Sequence, residues 1–224
     1  MNKKSVLLLH IYYISLLIII HITFYQQSTY ILLFVNTILA LIPIELTLIG
    51  MQFKKLKFLI PLLIIWLLFL PNNFYLITDL FHISLLEPYD TTTALIKLDS
   101  EMWFKLMMIF LSVFPTIFLG CWSIQAVSQK ICSHFNKQLK GIVLYPVILF
   151  LNTIGIYLGR FERWNSWEIF TQPFSLLKNI ILIFKSSTGQ QFILQFFIFS
   201  LVIMLSYHVI LSILNYSPKS ANHL

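Results

Sequence analysis

Apolar residues run along the chain in six blocks, each long enough to cross a hydrocarbon core about 30 Å thick as a helix of around 20 residues. The blocks cover roughly residues 5–24, 30–51, 58–80, 103–127, 141–159 and 192–216, with short polar links between them. They predict an all-α integral membrane bundle of six transmembrane helices, a single domain over residues 1–224. The first block follows two lysines, as a signal peptide would. Its apolar part is too long, however, and no small-x-small cleavage site follows, so it reads as a span.

A shorter pattern sits between the fifth and sixth blocks. In "PFSLLKNIILIFKS" (Pro173–Ser186), Phe174, Leu177, Ile181 and Phe184 are apolar, while Ser175, Lys178, Asn179 and Lys185 are polar. This is amphipathic helical spacing with proline in the first turn. About 13 residues cannot span. The pattern predicts a helix lying on the outer surface, with a re-entrant cover over the bundle as the alternative.

Composition narrows the class. Hydrophobic residues make up 58% of the chain and charged ones 10%, against about 25% charged in soluble domains. Phenylalanine occurs 21 times, as suits side chains that face lipid or pack between helices. The net charge of +7 raises nucleic acid as a partner. Most of it, however, lies in link clusters: Lys3 and Lys4; Lys54, Lys55 and Lys57; Lys130, Lys137 and Lys140. Arginine forks with interleaved aromatics are absent, so no nucleic-acid partner is expected; the expected surroundings are a lipid bilayer.

The same lysines orient the bundle. The N-terminus, the 54–57 and 128–140 links and the C-terminal tail carry nine lysines and no acid. The 25–29 link is uncharged, and the 81–101 link has four acids against one lysine. Lys and Arg collect on the cytoplasmic side. Both termini are therefore expected inside (N-in, C-in), in a multi-pass protein of the plasma (cytoplasmic) membrane. The last outer link, residues 160–191, departs from the pattern with four basic and two acidic residues.

Cys121 and Cys132 fall at or just beyond the inner end of the fourth block, where no disulfide is expected. Spacings such as CxxC or HxH are missing, so no metal is expected; the sequence does not identify a cofactor. Glu87, Asp90, Asp99 and Glu101 read as a solvated loop, with metal ligands for an enzyme as the alternative.

The polar residues inside the apolar blocks carry the candidate chemistry. "LPNNFYLITDLFH" runs from Leu70 to His82. Pro71 removes a backbone donor and predicts a break in the third span beside Asn72. At 1.5 Å per residue from Lys57, Asn72 lies about 22 Å up and Asp79 about 33 Å up, at the outer boundary. Asn72, Tyr75, Asp79 and His82 are spaced by three and four, one face of an α-helix. Polar residues at such depth must face protein or water, never lipid.

The fifth span delivers a second set. Arg160 lies about 30 Å from Lys140, the same outer level, and opens "GRFERWNSWEIF", where Arg160, Arg163, Trp164 and Trp167 share a face. Gly155 and Gly159 form GxxxG, which allows close helix approach. A carboxylate beside an arginine fork forms strong, directional hydrogen bonds. The plainer reading is that Asp79 and Arg160 or Arg163 hold helices together, with the tryptophans in an interfacial belt. Glu45, beside Pro43 and about 13 Å from Lys54, is an intramembrane carboxylate, suited to an ion or proton step or to a hydrogen bond with a neighbouring helix. His10, His21 and His208 lie near span ends, where a backbone partner is expected.

The two stretches together resemble the paired signatures of domain-of-unknown-function family 1361, bacterial polytopic membrane proteins. The first, similar to LPN-x-x-Y-x-x-TD-x-x-H, falls on Leu70, Pro71, Asn72, Tyr75, Thr78, Asp79 and His82. The second, similar to GR-x-x-RWNSW, falls on Gly159, Arg160, Arg163, Trp164, Asn165, Ser166 and Trp167. The family's Trp-Tyr-Asp in the acidic link stands here as Pro88-Tyr89-Asp90. The resemblance implies the same architecture and no reaction.

The functional expectation is an outward polar site made from Asn72, Asn73, Tyr75, Thr78, Asp79, His82, Arg160, Arg163, Trp164, Asn165 and Trp167, binding an anionic ligand or lipid head group. Three alternatives stand beside it. One is a transporter using the broken third helix and Glu45. Another is a membrane-embedded enzyme on a lipid-linked substrate, for which no nucleophile is evident. The last is a membrane scaffold.

Overall fold

The computed structural model describes residues 2–24, 28–53, 55–135, 141–164 and 168–215. The structure is 87% helical and has no strand among the described residues. In chain order the helices are α1 (Lys3–Phe24), α2 (Ser28–Gly50), α3 (Leu56–Phe69) and α4 (Pro71–Tyr75), followed by a 3₁₀ segment (Leu76–Leu86). Then come α5 (Ser100–Phe135), a 3₁₀ turn (Gly141–Leu144), α6 (Tyr145–Phe161), α7 (Glu168–Thr171), α8 (Pro173–Lys185) and α9 (Ser187–Leu214). Among the described residues, six helical stretches are long and apolar enough to span a membrane, one of them the bent run Lys57–Leu86.

That run corrects the expectation of a third span ending near residue 80 and continuing as α-helix through Asp79. Pro71 sits at the first position of α4 with no N–H to offer the Leu67 carbonyl. The chain then tightens into eleven residues of 3₁₀ helix, which rise about 2.0 Å each and eclipse every third side chain. Helix therefore persists to Leu86, and the acidic link is shorter than the sequence suggests. The fourth span is longer at both ends than expected, Ser100–Phe135, and the sixth reaches back to Ser187.

α5 is the central post. Its 36 residues make about 54 Å of helix, longer than a hydrocarbon core is thick. Its first half packs with α1, α2 and the 3₁₀ segment through Tyr13, Leu16, Ile44, Leu76, Ile109 and Val113. Its second half packs with α3, α4, α6 and α9 through Trp66, Phe74, Ile124, Leu149, Ile156 and Met204. Small hydroxyls on α5 accept or donate across both interfaces: Tyr13 Oη lies 2.8 Å from Thr116 Oγ1, and Trp66 Nε1 donates to Ser123 Oγ at 2.7 Å. Thr47 Oγ1 meets the same serine at 2.6 Å. Each bond spares a buried polar group the cost of going unpaired. Cys121 and Cys132 are free and buried.

Outward positions carry the opposite pattern to a soluble protein. Leu7, Ile11, Ile14 and Ile18 on α1, and Leu194, Ile198, Val202 and Leu205 on α9, are exposed at helical spacing. Such faces suit a bilayer.

α8 spans 173–185, one residue short of its expected end, and its apolar arc is divided. Leu176, Ile180 and Ile183 pack on Leu158 of α6 and Ile193 of α9. Phe174, Leu177 and Ile181 stay exposed. One quadrant thus docks on protein, the next is left for lipid, and Lys178 and Lys185 occupy the polar arc.

Candidate functional site

The site forms where the 3₁₀ segment, α2 and the end of α6 meet. Asp79 is fully buried, and Asn36 of α2 donates to its Oδ2 at 2.9 Å. Its Oδ1 lies 3.8 Å from Arg160 Nη1 and 3.9 Å from His82 Nδ1, beyond hydrogen-bond range, and has no hydrogen-bond partner among the described residues. Arg160 is held more closely elsewhere: Nη1 donates to the Tyr75 hydroxyl at 3.1 Å, and Nη2 reaches the Thr78 carbonyl at 3.5 Å. Its guanidinium carbon also stands 5.2 Å from the centre of the Tyr75 ring, a cation–π arrangement. Asp79 and Arg160, placed at one depth by residue counting, meet in the structure.

His82 belongs to the same cluster through its neighbour's backbone. Its Nδ1 lies 3.0 Å from the Asp79 carbonyl oxygen. A carbonyl only accepts, so Nδ1 carries the proton and Nε2 is the basic nitrogen of the neutral ring. Asp79 and His82 stand three apart in 3₁₀ helix, where that spacing eclipses side chains. Asn72 and Tyr75 belong to the preceding α4, so the single α-helical face expected for all four does not form.

The two asparagines part company. Asn73 is fully buried and donates from Nδ2 to the Ala40 carbonyl, tying α4 to α2. Asn72 turns back to the Phe69 carbonyl at 2.9 Å and lines a cleft. Thr78 likewise donates to its own segment, at the Tyr75 carbonyl.

Arg163 does not join Arg160. α6 ends at Phe161, and Arg163 takes φ +55°, the left-handed region. The reversal lets the Trp164 N–H reach the Leu158 carbonyl at 3.0 Å, satisfying one of the helix's last acceptors. Arg163 is carried outward and exposed, while Trp164 folds back over the cleft. One arginine, not a fork, faces Asp79. Asn165, Ser166 and Trp167 lie outside the described residues.

The cleft itself holds about 210 Å³. Its polar lining is Asn36, Asn72 and Tyr75, and its apolar lining includes Leu39, Leu68, Leu158, Trp164, Ile169 and Leu176. Pro71, Gly155 and Gly159 complete the wall. Gly155 is there for space: a Cβ would lie 2.4 Å from Pro71 Cγ. The ring left by the broken span seats in the notch of α6.

Asn36 was not apparent from the sequence. A lone asparagine in an apolar block has no spacing partner, and the residue it binds is 43 positions away. Asp90, in the position of the family's Trp-Tyr-Asp, lies away from the cluster. Its carboxylate accepts from the backbone N–H groups of Thr92 and Thr93, each at 2.9 Å, closing a turn. The Thr92 hydroxyl, and after it those backbone bonds, hold it well below the usual carboxylate range. The turn's support from Asp90 is thus complete above the ordinary carboxylate pKa and fades only as pH falls through the lowered value. Among the described residues no three His, Cys, Asp or Glu side chains cluster as a metal site would require.

No curated protein and no solved structure matches the chain. The family model described as "Protein of unknown function (DUF1361)" matches residues 35–216, a range that contains Asn36, the whole Asp79–Arg160 cluster and the cleft beside it. With six apolar helices and four-fifths of its length under that model, the chain is a multi-pass membrane protein of the DUF1361 family.

Proposed function

We propose that the cleft beside Asp79 and Arg160 binds an amphiphile with an anionic head group, from the outer side of the plasma membrane. The observation that carries this reading is the double use of Tyr75. Its hydroxyl accepts from Arg160, and its ring lines the cleft. A head group entering there meets Asn36, Asn72 and Tyr75, and the Tyr75 hydroxyl links it to Arg160. The leucines and Trp164 in the same lining suit an acyl or prenyl chain, and ligand sites commonly combine an apolar lining with a few convergent polar groups. Arg160 keeps donor capacity for this, since a guanidinium has five N–H groups and, among the described residues, two engage neighbours within 3.5 Å.

Thermal unfolding in detergent with added lipid tests the reading. Phosphatidylglycerol should raise Tm more than phosphatidylcholine does, and Tyr75→Phe or Asn72→Leu should remove at least half of that difference. Equal stabilisation by both lipids, or a difference untouched by either variant, would sink it. Asn72→Leu touches neither Asp79 nor Arg160, whereas Tyr75→Phe also removes the acceptor of Arg160 Nη1.

The outward orientation rests on the lysine asymmetry. Single cysteines at exposed Thr92 and Gln52 check it in intact cells. Thr92→Cys should react with an impermeant maleimide and Gln52→Cys only after lysis; the reverse pattern would put the cleft on the cytoplasmic side.

A further inference from the structure

Away from the Asp79 cluster, α1 and α2 bring a second pair of ionisable groups together inside their spanning segments. His10 lies about 10 Å along α1 from Lys3, and Glu45 about 8 Å from the end of α2 at Gly50. His10 Nε2 is 3.0 Å from Glu45 Oε1, and the side chains are 42% and 39% exposed. His10 shares its helix face with Leu7 and Ile14, both more than half exposed. The pair therefore opens on an apolar flank of the bundle rather than into its core.

The proton count on this pair is constrained. His10 Nδ1 lies 2.8 Å from the Val6 carbonyl oxygen, which only accepts, so Nδ1 stays protonated in either charge state. A hydrogen bond over that 3.0 Å needs one further proton on the line from Nε2 to Oε1. On Glu45 it makes a neutral acid and imidazole; on His10 it makes a carboxylate and imidazolium. Both arrangements have no net charge. Losing that proton leaves a bare carboxylate on an apolar flank, and gaining another leaves a bare imidazolium, each disfavoured at such depth.

Other ionisable groups nearby are engaged elsewhere. Asp79 and His82 belong to the Arg160 cluster. On α5, Lys105 pairs with Glu101, Lys130 donates to the Met51 carbonyl, and His134 bonds the Lys130 carbonyl. Lys57 of α3 stands over the Phe58 ring. On α1, Tyr12 and Tyr13 donate to or meet α5 atoms, His21 lies against Phe34, and Lys3 and Lys4 are exposed at the helix start. Glu45 has His10 as its ion-pair partner among the described residues.

We propose that His10 and Glu45 form an intramembrane proton-binding site, open sideways to the hydrocarbon and separate from the Asp79–Arg160 cluster. The exchanging proton moves between Glu45 Oε1 and His10 Nε2, while Nδ1 keeps its own.

Dicyclohexylcarbodiimide, a lipid-soluble carboxyl reagent, tests this on the full chain in nanodiscs. It adds to a protonated carboxyl: the proton goes to a carbodiimide nitrogen, the oxygen bonds to the central carbon, and rearrangement yields a stable N-acylurea with nothing lost. Peptide mass analysis should find the adduct on Glu45, and Glu45→Gln should remove it. At one fixed pH, His10→Gln should change the yield at least threefold, because the shared proton loses its second base. No Glu45 adduct overturns the site even if His10→Gln fails to fold. A yield unmoved by His10→Gln overturns the shared proton. Equal labelling by a water-soluble carbodiimide overturns the opening to lipid.

Discussion

Replacing Arg160 with glutamine should destabilise the protein by about 3 kcal/mol, because it strands a carboxylate that has no exposed surface. Removing one partner of a buried ion pair costs about 3–5 kcal/mol. The lower end applies here, since Arg160 Nη1 stands 3.8 Å from Asp79 Oδ1 and the arginine side chain is 28% exposed. What remains to Asp79 is the Asn36 hydrogen bond and a more distant imidazole. Asp79→Asn is milder, about 1 kcal/mol, because an amide oxygen still accepts from Asn36 and the freed guanidinium keeps Tyr75 and partial access to solvent. In the Arg160→Gln background the same Asp79→Asn change should restore about 2 kcal/mol, since it removes the stranded charge. The double variant then unfolds close to the Asp79→Asn single, with a coupling of about 3 kcal/mol. Thermal or denaturant unfolding of the four proteins in one detergent measures this. Additive losses would mean that the pair does not interact energetically. An Arg160→Gln variant as stable as the parent would mean that the charges are held for a ligand rather than for the fold.

How much of this cluster could be read beforehand follows from what each residue depends on. The six spans depend on length and apolarity, which are local, and residue counting at 1.5 Å per step sufficed to bring Asp79 and Arg160 to one level. The break depends on Pro71 alone and was equally legible. The eleven residues of 3₁₀ helix after it were not: no residue type in "LITDLFH" marks the change from 3.6 to 3.0 residues per turn. The expected common face of Asn72, Tyr75, Asp79 and His82 therefore gave way to two short faces. Arg163 was misplaced for a similar reason. Helices commonly end on a left-handed glycine, but here an arginine takes that conformation, so the helical spacing of Arg160 and Arg163 promised a fork that the turn undoes. Asn36 and the His10–Glu45 contact are long-range in sequence and have no pattern to reveal them. Glu45 was conspicuous as a carboxylate in an apolar block, but its partner came from a helix 35 positions away in the chain.

Gly155→Ala should cost about 2 kcal/mol, while Gly159→Ala, in the same GxxxG, should be neutral or slightly stabilising. An alanine gains up to about 1 kcal/mol over glycine in a helix from backbone entropy. At Gly159 little opposes that gain, because the nearest atom to a new Cβ is the Trp164 carbonyl oxygen at 3.9 Å. At Gly155 the Cβ would lie 2.4 Å from Pro71 Cγ and 3.1 Å from its Cβ. A proline ring has no rotamer to retreat into, so α6 must move off α4 by about 1 Å, and overpacking of that kind costs about 1–3 kcal/mol or more. Both residues form the wall of the cleft, so the displacement should also weaken the Tm difference between phosphatidylglycerol and phosphatidylcholine. Pro71→Ala in the Gly155→Ala background provides the internal control. It removes the Cγ that clashes and should recover more than half of the lost stability, although Pro71→Ala by itself returns an N–H to the Leu67 carbonyl and straightens the third span. If Gly155→Ala and Gly159→Ala unfold alike, the seating of the Pro71 ring is not what fixes α6 beside the break, and the position of Arg160 above it must be set from α8 and α9 instead.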